Sequence, residues 1–299
     1  MSRPEEIFYN DLVSNYPHIE TDKIKVIDDG FYCMVYAVDG RDIFRFPRKP
    51  EYAPLVKREA QFLSAFRPQS PIPLPDQTLV NTANSLFVQY PYLEGVPLTV
   101  TDINRFGKSE VAEAAKQIGT FLDRLHQFPL EEAKALGLEE EHIGQRWMHR
   151  LKRLQNIVFP ALTAREQDGV TELFTKFLTE REETVVKNTV IHADIVPRHI
   201  LFNEKTHELS GLIDFGGIKI SDPAFDFRYL GKYGKSFLDT VYACYTLPKD
   251  VHFDSRRKFY EVYTTLASIE HAINNESEED AQAHKNDFSV YMDANLLVE

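Results

Sequence analysis

The sequence predicts an α+β fold in two lobes: a small β-rich N-terminal lobe, a larger and mainly helical C-terminal lobe, and a deep cleft between them. Three observations predict it. Residues 24–46 alternate polar and apolar side chains as strands do, the segments beyond residue 109 repeat apolar residues at helical spacing, and a short hairpin pattern lies embedded between the helical regions.

In the first lobe, two alternating runs flank Asp39-Gly40. Asp-Gly between such runs is a strong hairpin signal, because both central residues of the tight turn need positive φ. A helix over Ala53–Phe66 follows, carrying Leu55, Phe62, Leu63 and Phe66, and the prolines at 68, 71, 73 and 75 end it. A further strand over residues 86–90 runs into Pro91-Tyr92-Leu93-Glu94-Gly95-Val96-Pro97, whose proline and glycine content suits a connector. The expected division is therefore residues 1–91 for the N-terminal lobe, 92–97 for the hinge and 98–299 for the helical lobe. Beyond the hinge, Ser109 is the expected N-cap of a helix whose apolar face is Val111, Ala114, Ala115, Ile118, Phe121, Leu122 and Leu125. A second helical face joins Phe259, Val262, Tyr263, Leu266, Ile269 and Ile273. Between these helices, Thr189-Val190-Ile191 reads as a strand, and residues 199–202 pair with 209–213.

With 299 residues and 43% hydrophobic content the chain can bury a sizeable core. The opening Met-Ser-Arg-Pro-Glu-Glu lacks the apolar run of a signal peptide, and no segment reaches the roughly 20 apolar residues of a membrane span, so a cytoplasmic location is expected. Cys33 and Cys244 lie in unrelated contexts and support neither a disulfide framework nor a thiolate metal site. The 46 acidic against 34 basic residues, a formal charge of -12, argue against nucleic acid or a membrane surface as partner. A small cationic molecule bound by a monomer fits that charge, although an acidic surface also serves solubility alone.

The densest chemical signal is His192-Ala193-Asp194-Ile195-Val196-Pro197-Arg198-His199-Ile200-Leu201-Phe202-Asn203, followed after a polar turn by Gly211-Leu212-Ile213-Asp214-Phe215. One carboxylate, Asp194, falls in a loop after a strand, a second, Asp214, at the end of a later strand, with the imidazole of His199 between them in sequence. Phosphoryl transfer from a nucleotide needs such an arrangement, one acidic group to orient the attacking hydroxyl and others to hold magnesium on the phosphates. Singly, each aspartate reads as a turn or cap residue; the specificity lies in their joint spacing.

These residues resemble the kinase-like phosphotransferases of small molecules, the family that contains aminoglycoside phosphotransferases, macrolide phosphotransferases and choline kinases. The resemblance spans about residues 24–230 and implies a bilobal, protein-kinase-like fold. The Arg-His-Ile-Leu-Phe run, Ile-Phe-Arg-Phe-Pro at 43–47 and Gly-Val-Pro-Leu at 95–98 look most like aminoglycoside 2''-phosphotransferases. The sequence departs from the family pattern at Ala193, where glycine is usual, a mild change if φ is negative there. It departs again at His199, which stands where asparagine is usual and brings a softer ligand to a magnesium site.

The resemblance implies Asp194 as catalytic base, Asp214 and His199 as holders of Mg2+, ATP or GTP as phosphoryl donor, and Asp226 as a brace of the catalytic loop. For the nucleotide it points to Gly30 in the loop before the second strand, to Arg45 in the register of the strand lysine of protein kinases with Glu59 as its helix partner, and to Lys49 as an alternative cation. Ile43 should lie against the base, with Tyr90 and Tyr92 in the connector whose backbone meets the purine edge. From Asp214 to Asp222 the chain is too short for an activation loop, which argues against a polypeptide acceptor and for a small one. Among carboxylates for an aminoglycoside, Glu270 is singled out over the acidic run Glu276, Glu278, Glu279 and Asp280; Trp147 and Tyr263 are read as core aromatics that can also stack on a sugar. The rival readings are a macrolide or other small-alcohol kinase and a nucleotide-binding pseudokinase scaffold, the latter opposed by the presence of both Asp194 and Asp214.

Overall fold

The structure, a computed structural model, describes residues 4–27, 32–83, 85–141 and 143–293. The N-terminal lobe is built from α1 (Pro4–Asn15), β1 (Ile24–Ile27), β2 (Cys33–Val38), β3 (Asp42–Pro47), α2 (Ala53–Phe66), β4 (Thr78–Asn81) and β5 (Leu86–Pro91). Its strands form one antiparallel sheet in the order β1-β2-β3-β5-β4. The β2–β3 hairpin closes as expected, with Asp39 at φ 51 and Gly40 at φ 64 between Val38 and its partner Asp42. Period-two alternation then sorts the side chains. Met34, Tyr36, Val38, Phe44, Phe46 and Phe87 pack with Leu12 of α1, while Cys33 and Val88 pack with Val56 and Ala60 of α2. Arg45 alternates with Phe44 and Phe46, so it shares the α2 face.

The C-terminal lobe contains β6 (Val96–Pro97), α3 (Val100–Arg105), α4 (Lys108–His126), α5 (Leu130–Ala135), α6 (Ile143–Ile157) and α7 (Ala164–Glu183). It continues with β7 (Thr189–Ile191), β8 (Ile200–Phe202), β9 (Leu209–Leu212), β10 (Lys219–Ser221), α8 (Lys235–Ala243), α9 (Phe253–Asn274) and α10 (Glu278–Asp293). The strands make two small sheets, β6-β8-β9 and β10-β7. β6 thus ties the connector to the hairpin that carries the site, and Gly95 permits it: at φ 145, a side chain there would strike Ser210 and come within 2.9 Å of the Phe202 carbonyl.

One cap differs from expectation. α4 is capped at Gly107, not Ser109, because Glu110 reaches back to accept the Gly107 amide at 2.6 Å, two residues before the expected cap. The core of the lobe is aromatic where α6, α7 and α9 meet. Trp147 sits edge-on to Tyr263 with centroids 4.6 Å apart, and Phe177 stacks on Phe259 at 3.8 Å. Both Trp147 and Tyr263 are buried, so their packing role holds. A buried ionic knot fixes α9 to the segment after β10: Arg256 donates to Asp222 at 2.7 Å and to Asp250 at 2.7 Å, and the Tyr260 hydroxyl donates to Asp222 at 2.9 Å. Among the described residues no helix is long and apolar enough to cross a membrane.

Candidate active site

The loop after β7 is held from beneath by Asp226, which is fully buried. Its two oxygens accept the amides of His192 and Ala193, each at 2.8 Å, and His126 Nε2 lies 3.2 Å from one of them. The Tyr245 hydroxyl, 2.8 Å from His126 Nδ1, completes a chain in which each group has a partner. Burial alone would raise the Asp226 pKa; hydrogen bonding and charge from His126 and His192 bring it below the ordinary aspartate value. The bracing role expected of Asp226 is what this geometry provides.

Ala193 has φ 68, a left-handed conformation that a Cβ disfavours by roughly 1–2 kcal/mol. The substitution of alanine for glycine is therefore not mild: the condition of negative φ is unmet. The conformation persists because its amide is fixed by Asp226 and its carbonyl accepts from Arg228 Nη2 at 3.0 Å. His192, fully buried, is depressed below the usual histidine pKa mainly by burial, and its Nδ1 accepts the Asp194 amide at 3.2 Å.

Asp194, His199 and Asp214 converge, with one ligand atom of each within 4.8 Å of the others. His199 Nδ1 lies 2.9 Å from the Asp194 carbonyl oxygen, which can only accept, so Nδ1 carries the proton and Nε2 offers a lone pair. That Nε2 faces Asp214 Oδ2 at 3.5 Å and accepts from Arg198 Nε at 3.1 Å. Asp214 itself sits just past β9 at φ 64, a conformation aspartate tolerates better than most residues. Burial would raise its pKa, but Arg45 first, then His199, hold it below the ordinary value. Two carboxylates and an imidazole with a committed tautomer fit a divalent cation that accepts mostly oxygen ligands.

On the other lobe, Arg45 Nη1 donates to Glu59 at 2.6 Å, and Gln77 donates to the same oxygen at 2.8 Å. Arg45 Nη2 lies 3.9 Å from Asp214, which brings the expected nucleotide cation up to the expected metal aspartate. Burial opposes the Arg45 charge, yet Glu59 and its neighbours keep the group protonated. Ile43 is buried two residues away and pairs across the sheet with Tyr90. Tyr92 is exposed, and its amide is already taken by the Arg41 carbonyl at 2.7 Å. Lys49 points instead to exposed Glu51 at 3.8 Å. Gly30 lies outside the described residues.

Glu270 does not offer the free carboxylate expected of it. Its side chain is engaged by Arg153, at the wall of a cavity of about 700 Å³ lined also by Arg146, His149, Arg150 and Tyr263. Glu276, Glu278, Glu279 and Asp280 are exposed.

Three contributors went unread in the sequence. Arg228 Nη2 reaches Asp194 Oδ1 at 3.3 Å while its guanidinium lies over the Phe225 ring, Arg198 Nη2 reaches Asp194 Oδ2 at 3.3 Å, and Gln77 buttresses Glu59. Arg198 adjoins His199 in the motif and was the one with a local signal; Arg228 and Gln77 are isolated polar residues whose partners lie far along the chain.

Solved structures share this architecture. The GDP and kanamycin complex of APH(2")-IIIa aligns over 96% of this chain and 99% of that one, with TM-score 0.85 and 22% identity. The streptomycin-ATP-APH(2")-IIa ternary complex gives TM-score 0.71 and 18% identity over 94% of each chain. Macrolide 2'-phosphotransferase MphH from Brachybacterium faecium gives 0.67 and 17% over 92% of this chain and 96% of its own. At these identities the likeness establishes the bilobal fold. The sequence itself matches the family model for phosphotransferase enzymes over residues 23–246, a span that holds Arg45, Glu59, Asp194, His199, Asp214 and Asp226, and the chain belongs to that phosphotransferase enzyme family.

Proposed function

We propose that the protein transfers the γ-phosphoryl group of ATP or GTP to a hydroxyl of a small molecule in the cytoplasm, acting as a monomer, and that an aminoglycoside phosphorylated at a 2''-hydroxyl is the first acceptor to consider. The observation that carries the reaction type is the convergence of Asp194, His199 and Asp214 beside the Arg45–Glu59 pair. The acceptor class rests on the names of the structural neighbours, which include a kanamycin and a streptomycin complex.

In this reading Asp194 orients the acceptor hydroxyl and receives its proton late, as suits a loose transition state. Asp226 keeps the loop in place through the His192 and Ala193 amides. Arg45, fixed by Glu59, presents a planar cation to the donor phosphates. Asp214 and His199 Nε2 would hold Mg2+, which when bound neutralises charge on the phosphates. Ile43 and Tyr90 would flank the base. Arg198 now occupies the His199 lone pair and must leave it when a cation binds there.

The test is nucleoside diphosphate release by the purified protein, with ATP and with GTP, across a panel of aminoglycosides and macrolides. Turnover lost in Asp194→Ala but with nucleotide still bound supports the assignment. Tight nucleotide binding without turnover on any acceptor would favour the scaffold reading.

A further inference from the structure

The cavity between α6 and α9 has a chemistry that the phosphoryl-transfer centre does not explain. Arg146, His149, Arg150 and Arg153 occupy positions i, i+3, i+4 and i+7 of α6 and so form one stripe. Like charges at this spacing destabilise a helix, so collecting three arginines on one stripe carries a cost. Facing them, α9 contributes Tyr263, Glu270 and His271. Glu270, the single carboxylate in the lining among the described residues, is already engaged by Arg153.

The remaining cations are held rather than neutralised. Arg150 lies over the Trp147 ring at 5.0 Å and the Tyr263 ring at 5.1 Å and donates to the Tyr263 hydroxyl, while its Nε is buried without a hydrogen-bond partner. Arg146 Nε lies 2.9 Å from Glu141 Oε1 as an ion pair, but Glu141 is shared with Lys219 at 2.5 Å. Among the described residues, Arg146, Arg150, Arg153 and Lys219 thus meet two carboxylates, Glu141 and Glu270. Lys219 registers the surplus: burial lowers its pKa, Glu141 opposes this, and Arg146 and Arg150 push the same way as burial. A volume of about 700 Å³ falls in the range of sites for small organic ligands.

We propose that this cavity binds a small molecule bearing phosphate or carboxylate groups, through Arg146, Arg150 and Arg153. Guanidinium forks fit either oxyanion, and an ammonium-rich ligand is repelled. Beyond the lining, Lys219, which shares Glu141 with Arg146, lies 5.4 Å from the Phe225 ring, and Arg228, which reaches Asp194, lies 4.2 Å from the same ring. The anion belongs either to the acceptor itself or to a separate effector, and the two are told apart by kinetics.

Isothermal titration of the full chain, saturated with ADP, against inorganic phosphate, citrate and glucose 6-phosphate tests this without any turnover, so it can fail or succeed independently of the proposed reaction. The expected result is saturable binding of at least one probe, weakened about tenfold or more in Arg150→Gln and in exposed Arg146→Gln, and largely recovered in Arg150→Lys. Circular dichroism melts and ADP affinity check that each variant is folded. No saturable binding, affinity unchanged in both glutamine variants, or kanamycin binding lost in those same variants would overturn the proposal. Where an acceptor is turned over, a probe that raises its KM with kcat constant assigns the anion site to the acceptor; a change in kcat without competition assigns it to an effector.

Discussion

Ala193 and Asp194 occupy adjacent positions but meet different demands. Ala193 carries the strain of φ 68 so that the loop can present Asp194, and Ala193→Gly is expected to raise stability by about 1 kcal/mol, the relieved strain exceeding the added flexibility of the unfolded chain. A thermal melt with unchanged or lower Tm would count against it. Asp194→Ala should lower kcat by about 10²–10⁴-fold, the range for a positioned general base, with nucleotide affinity retained. His199 and Asp214 share one cluster but not one importance. Because histidine offers a neutral donor where an amide oxygen can substitute, His199→Asn should keep substantial activity, whereas Asp214→Ala should abolish it. Equal and total loss in both variants would sink that ranking.

Between elements, the contact of β3 with α2 depends on a nearly buried ion pair, Arg45 with Glu59, whose side chains are 13% and 4% exposed. Removing one partner strands the other charge, so Glu59→Ala should cost about 3–5 kcal/mol and weaken nucleotide binding together. Urea denaturation with an unchanged midpoint would refute this. The α4–α8 contact is equally tight by packing alone: a Cβ at Gly119 would stand 2.7 Å from the Val241 carbonyl and 2.8 Å from Cys244 Cβ. These helix contacts were half legible. The apolar faces of α4 and α9 lay open in the sequence as periodic residues, and the Arg45–Glu59 pair followed from the register of a resembling motif. Glycine at the α4–α8 contact had no signal, because helical spacing says which face is buried and not how closely another helix approaches it.

Across the whole molecule, acid stability joins the lobes to the site. His192 is depressed below the histidine range and Asp214 and Asp226 below the aspartate range. In each case the unfolded chain binds the proton at a pH where the folded one does not, so each contributes stability that is complete above its unfolded pKa and lost as pH falls toward the folded value. Unfolding free energy should therefore fall in two windows, below about pH 6.5 for His192 and below about pH 4 for the aspartates. A flat profile from pH 7 to 4.5 would exclude the first window.

The sequence alone determined the tight β2–β3 turn, the division into a β-rich and a helical part, the elements that carry the site, and the residue types of the phosphoryl-transfer motif. All of these are written in short-range information: side-chain period, turn chemistry and spacing within about 25 residues. The tertiary structure decided what distant segments do to one another. It set Arg228 on Asp194, gave Ala193 its left-handed φ, consumed Glu270 with Arg153, and faced the arginine stripe of α6 with a nearly carboxylate-free wall of α9. A net charge of -12 suggested a cationic ligand everywhere, but a pocket feels the charges that line it and not the sum over the chain, because water and salt screen the rest within about 10 Å.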